Sequence, residues 1–122
     1  MNTLDLFHNE KETLSFSAGD IIFQQGEPGQ NMYVVKKGKV DIEIDGEKIM
    51  DLGEGELLGE MALIDDSPRS ATAKAAEESE LISIDEKRFK FLVQQTPFFS
   101  LHVMRILVER IRLMNFHVDK TV

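Results

Sequence analysis

The chain has 122 residues, 42% of them hydrophobic and 30% charged, with a net charge of −8 and no cysteine. That length suits one domain with a true core but not two. The acidity argues against direct DNA binding or an anionic membrane surface, both of which need a basic face, and the absent thiols exclude a disulfide framework.

The N-terminal residues 1–14 are acidic and lack a basic stretch followed by an apolar core, so they do not read as a signal peptide. No apolar run approaches the ~18 residues of a membrane span. Cytoplasm is the expected compartment.

Residues 1–122 read as a single domain, with strands over about 13–84 and helices over about 85–118. Leu14–Phe16 and Ile21–Phe23 flank Gly19-Asp20, and GEPGQN at 26–31 is a dense turn cluster. Met32–Val35 is an apolar run fit for a buried strand, with its turn around Gly38. In VDIEI, Val40, Ile42 and Ile44 alternate with Asp41 and Glu43, and Asp45-Gly46 leads on to Ile49–Leu52, a strong hairpin signal. Further strands are expected at Ser70–Ala75 and Leu81–Ile84. Short strands at this spacing imply a mainly β chain, an antiparallel β-barrel or jelly roll, followed by two C-terminal α-helices.

After Ile84 the period changes. Asp85 is placed to cap a helix over EKRFKFLVQQ, which Pro97 ends, and Pro97 can open a second helix running to about Phe116. That helix is apolar around roughly two thirds of its circumference, far more than a single core-facing stripe. Met104, Leu107, Ile111, Met114 and Val118 recur at heptad-like spacing, while Val103, Ile106 and Leu113 adjoin them. One face can pack within the domain and the other against a second copy, giving a homodimer. Burial wholly within the domain is the alternative.

Arg69 is the only basic residue between Ile49 and Ala73, among Asp51, Glu54, Glu56, Glu60, Asp65 and Asp66. It follows Pro68 and precedes the small residues Ser70, Ala71, Thr72 and Ala73, which leave room for a ligand. Gly59 opens the helix-compatible run Glu60, Met61, Ala62, Leu63, whose first backbone N–H groups can receive an anion. A guanidinium matches two phosphate oxygens. Glu60 fits beside such an anion as acceptor for a hydroxyl of the same ligand, and phosphate plus hydroxyl is a sugar phosphate. A structural Arg69–Glu60 salt bridge is the competing explanation.

LGEMAL…PRSATAKA resembles the phosphate-binding cassette of the cyclic-nucleotide-binding domain family, and GDIIFQQGEPGQNMYVVKKGKVDI resembles its other signature, with Gly26, Gly29 and Gly38 at turns. Phe23 departs from the small β-branched residue often found there, a change expected to concern packing more than ligand. The resemblance spans about residues 13–115. It implies that a short phosphate-binding helix interrupts the strands. Arg69 would clasp the cyclic phosphate, with backbone N–H groups around Gly59, Met61 and Ala62 completing the cradle. Ser70 would also donate to the phosphate, and Glu60 would accept from the ribose 2′-hydroxyl. Serine at 70 leaves cAMP and cGMP both open, with cAMP the expected ligand. Arg112, Met114 and Phe116 are candidates to cover the base.

The expected function is a stand-alone sensor that passes a change in its C-terminal helices to an effector protein. The alternatives are a ligand-free module that dimerises through the last helix, and a fragment of a larger regulated protein. His8, His102 and His117 show no metal-ligand spacing, Asp65 and Asp66 read as a solvated loop, and no nucleophile–base pair is visible. No metal, cofactor or enzyme activity is expected.

Overall fold

The computed structural model describes residue 7 and residues 12–121, with side chains through Arg112. Residues 1–6 and 8–11, which make up most of the 1–14 segment that does not read as a signal peptide and include His8, lie outside what is described, as do the side chains of Leu113, Met114, Phe116, His117 and Val118. Among the described residues, the chain runs β1 (Leu14–Phe16), β2 (Ile21–Phe23), β3 (Asn31–Lys37), β4 (Val40–Ile44), β5 (Glu47–Leu52), β6 (Leu57–Leu58), α1 (Glu60–Asp65), β7 (Thr72–Ala75), β8 (Ser79–Asp85), α2 (Glu86–Gln95) and α3 (Pro97–Thr121).

The strands form two four-stranded antiparallel sheets, ordered β1-β8-β3-β6 and β2-β7-β4-β5. This is the jelly roll that the strand spacing predicts. Phe23, Val35, Val40, Ile42, Leu52, Leu58, Ala71, Ala73 and Leu81 make one core cluster drawn from both sheets. A fully buried aliphatic side chain there contributes about 1.5–3 kcal/mol.

Local chemistry sets the turns. Asp45 and Gly46 both have positive φ, 53° and 81°, the pairing that a two-residue type I′ hairpin requires. A bulge follows, because Ile42 pairs with Met50 but Glu43 pairs with Lys48. Ile49 is the extra residue and is exposed, as is Ile44 at the strand's end, so the alternation read from the sequence holds only for Val40 and Ile42. Strand β6, two residues long, was too short to leave a periodic signal.

Gly38 has φ +98° and lies against the buried Ser79, whose Oγ accepts from the Lys39 N–H and reaches the carbonyls of Lys39 and Glu77. That contact joins the β3–β4 turn to the start of β8.

The chain divides into two compact units, residues 1–89 and 90–122. The first holds the sheets, α1 and the start of α2. Asp85 Oδ1 accepts from the Arg88 N–H at 2.8 Å, so Asp85 does cap α2. In the second unit, Pro97 opens α3, which runs to Thr121, beyond the end near Phe116 that the sequence suggests. On α3, Phe99 and Val103 are buried, while Met104 and Ile111 are 54% and 55% exposed. The helix thus has one covered apolar face and one uncovered.

Candidate functional site

Arg69 lies in the loop before β7, which starts at Thr72 and not at Ser70. Its backbone is pinned by the GEPGQN turn: the Arg69 N–H donates to Glu27 O, and the Gly26 N–H donates to Arg69 O, both at 2.8 Å. A β-bridge-like clamp of this kind aims the side chain inward, and Arg69 is only 7% exposed.

The guanidinium meets carbonyls. Nη1 donates to Gly59 O at 3.0 Å and Nη2 to Asn31 O at 2.7 Å. Two of its five N–H donors are so committed. The Nε–H is buried with no hydrogen-bond partner, and one hydrogen on each Nη remains. The Arg69–Glu60 salt bridge, the competing explanation, is therefore not what orients the arginine. Burial pushes the guanidinium below its usual pKa, opposed by Tyr33, Glu27 and, least, Glu60. An arginine so placed still stays charged at neutral pH.

The Arg69 Cζ lies 4.2 Å from the Phe23 ring centroid and 5.9 Å from that of Tyr33, and these two rings stack at 6.1 Å. A desolvated cation–π contact contributes about 2 kcal/mol, a partial return on the cost of burying the charge. Phe23 therefore touches the arginine directly, a role the sequence reading did not give it. Ala71 and Ala73 belong to the same core cluster as Phe23, so their small size makes room for its ring. Ser70 is the exposed member of that run.

Two glycines close the remaining sides. A Cβ at Gly29 would lie 2.5 Å from Arg69 Nε and 2.9 Å from Ala62 Cβ, and one at Gly59 would lie 2.5 Å from Arg69 Nη1. Gly59 has φ +78° and starts α1 with no side-chain cap hydrogen bond. Glu60, in the first turn, is 1% exposed.

All six residues singled out from the sequence are thus brought together: Gly59 binds Arg69, Ala62 lies beside it, Glu60 is buried in the adjoining turn, and Ser70 Oγ lies 3.8 Å from Met61 Sδ. Phe23, Asn31 and Glu27 were missed as contributors, because one ring in a three-residue strand and two backbone carbonyls carry no pattern. Arg112 is exposed.

A cleft of about 340 Å³ opens between Gly29, Asn31, Ala62, Leu63, Asp66 and Asp85. Neither Glu60, Arg69 nor Ser70 lines it, so it adjoins the arginine without containing it. Among the described residues, no three His, Asp or Glu side chains are grouped to hold a metal ion, and no helix is long and apolar enough to cross a membrane.

Residues 13–96 match the family model of the cyclic nucleotide-binding domain. This chain belongs to that family. Over 109 residues the domain is 34% identical to the cyclic AMP receptor protein of Thermus thermophilus, covering 85% of this chain and 50% of that protein. Over 85 residues it is 36% identical to the cAMP-dependent protein kinase regulatory subunit of Debaryomyces hansenii, covering 68% of this chain and 19% of that one.

The crystal structure of the Thermus thermophilus catabolite activator protein superposes with a TM-score of 0.84 at 32% identity, over 96% of this chain and 57% of that one. The EAL enzyme Bd1971 in its cAMP-bound form gives 0.65 at 35% identity, over 86% of this chain and 29% of the enzyme. Its cGMP-bound form gives 0.66 at 34%, over 83% and 28%. The chain therefore spans half the length of the first of these curated relatives and about a fifth of the second.

Proposed function

We propose that this cyclic nucleotide-binding domain is a cAMP sensor that signals through its C-terminal helices and is not itself an enzyme. The observation that carries the reading is the buried Arg69, which keeps donors uncommitted beside an uncapped helix start. A cyclic phosphate supplies acceptors for both. Arg69 clasps its exocyclic oxygens, the N–H groups from Gly59 to Ala62 complete the cradle, and Ser70 turns from Met61 to donate. Glu60 accepts from the 2′-hydroxyl. The cAMP-bound and cAMP-named relatives support the choice of ligand, and the cGMP-bound form of Bd1971 keeps cGMP as its competitor.

Calorimetric titration of nucleotide-free protein with cAMP, then cGMP, tests this. One saturable site is expected, with cAMP the tighter ligand. Absence of heat at several temperatures, together with an unchanged Tm, would overturn the reading. Glu60 provides a finer check. Glu60→Gln should bind cAMP about tenfold more weakly, as one charge-assisted hydrogen bond weakens. It should also discriminate less between cAMP and 2′-deoxy-cAMP. Undiminished discrimination would remove Glu60 from the ribose.

The output follows from differential binding, since a ligand shifts helices only by preferring one arrangement. Phosphate binding draws the Gly59–Leu63 segment inward, and Phe89, Phe91 and Leu92 follow with α2. In this reading the two compact units work as one domain. The exposed Met104 and Ile111 give α3 an apolar face for a second copy or an effector protein. Sedimentation should show a concentration-dependent dimer that Met104→Glu with Ile111→Glu dissociates. A monomer at all concentrations would leave that face to an effector alone.

A further inference from the structure

We infer that Phe23 is a positioning residue for the cyclic phosphate: its ring is the platform that fixes the Arg69 guanidinium toward the Gly59–Ala62 turn without neutralising it. This inference rests on the binding function proposed above. A buried arginine needs something to hold it. A carboxylate would do so by pairing with it, and the paired cation would then offer less to a phosphate. Here the two in-plane contacts are carbonyls, at Gly59 and Asn31, and the face contact is an aromatic ring 4.2 Å away. All three attract the cation and none cancels its charge.

The backbone is arranged to put the ring there. Strand β2 pairs with β7, and Phe23 stands opposite Ala73, four residues after the arginine. The register shifts between Ile21 and Phe23, a bulge that re-aims a side chain. Ala71 and Ala73 leave the ring its space in the core. Gly29 and Gly59 approach the guanidinium so closely that a Cβ on either would collide with it. Carbonyls, ring and glycines together close the alternative positions of the side chain. An aliphatic residue at 23 could fill the volume, but it presents no negative face to the cation.

The test separates packing from electrostatics. Phenylalanines bearing one, two and three fluorines at position 23 keep the ring's size and progressively drain its negative face. Affinity for cAMP should fall stepwise, reaching about tenfold with the trifluorinated ring, while Tm stays within a few degrees. Phe23→Tyr should bind within about threefold of the wild type, and Phe23→Leu should lose at least tenfold. In ligand-free protein, the Arg69 Nε–H proton should resonate upfield of its usual range and return to it in Phe23→Leu. Equal affinities across the fluorinated series, with binding intact in the wild type, would overturn this inference and leave the proposed function standing. An Arg69 resonance indifferent to residue 23 would do the same. A wild-type protein that binds no cyclic nucleotide would instead remove the function and this inference together.

Discussion

Arg69→Ala should lower affinity for cAMP by about a hundredfold, or about 3 kcal/mol. The sequence alone sets a floor of tenfold, from losing one charge-assisted contact. The structure raises it, because the guanidinium is 7% exposed and offers donors on three nitrogens. Its removal leaves a phosphate partly desolvated with no cation beside it. Arg69→Lys should recover little of this. An ammonium is a point charge without a fork, so it cannot reach Gly59 O, Asn31 O and the ligand together. It also has no planar face to lay on Phe23. Calorimetry on both variants, with circular dichroism to establish that they fold, checks the expectation. Lysine binding as tightly as arginine would mean that charge alone, and not the fork, holds the ligand.

Gly38→Ala should be the most damaging glycine substitution for stability, costing about 2–5 kcal/mol. Two effects add. At φ +98° an L-residue is strained, by about 1–2 kcal/mol or more. A Cβ there would also lie 2.6 Å from Glu78 O and 2.8 Å from Ser79 Cα. These are backbone atoms that cannot swing aside, so overpacking adds about 1–3 kcal/mol. Against a total stability of about 5–15 kcal/mol, that is a large share, and Tm should fall by about 10 °C or more. Gly46 is the internal control. Its φ is +81° and nothing lies within 4 Å of the place a Cβ would take, so Gly46→Ala should cost only the backbone strain. Urea melts of the two variants decide the matter. Equal midpoints would show that the close approach to Ser79 and Glu78 is relieved at little cost.

Sequence reading reached the fold because its signals are local. The alternation at Val40 and Ile42, the Asp45-Gly46 turn, the Asp85 cap and the Pro97 helix start each act within a few residues, and each appears where expected. The candidate site was legible for the same reason, since Gly59–Ala62 and Arg69–Ser70 lie in two short runs. What was not legible is relational. Nothing in IIFQQG says that the ring of Phe23 will lie beneath a guanidinium 46 positions later in the chain. That follows from the β2–β7 register, which the sequence does not print. The carbonyl of Asn31 was likewise invisible, because every residue has one. Even the small residues after Arg69 carried two meanings, room for a ligand and room for a ring, and only packing separated them.

The pinning of Arg69 at both ends of its chemistry bears on how freely the chain beside it can change. Its backbone is held by Gly26 and Glu27, and its side chain holds the start of α1 through Gly59 O. The stretch between, from Asp65 to Pro68, is tethered at both ends by contacts that do not depend on its own length. Lengthening such a tethered loop costs little, about 0.6 kcal/mol per doubling. A peptide or fluorophore spliced next to Asp66, whose φ of 57° already marks a sharp bend, would sit one short helix away from the arginine. That turn is therefore a natural insertion point for an optical reporter of occupancy.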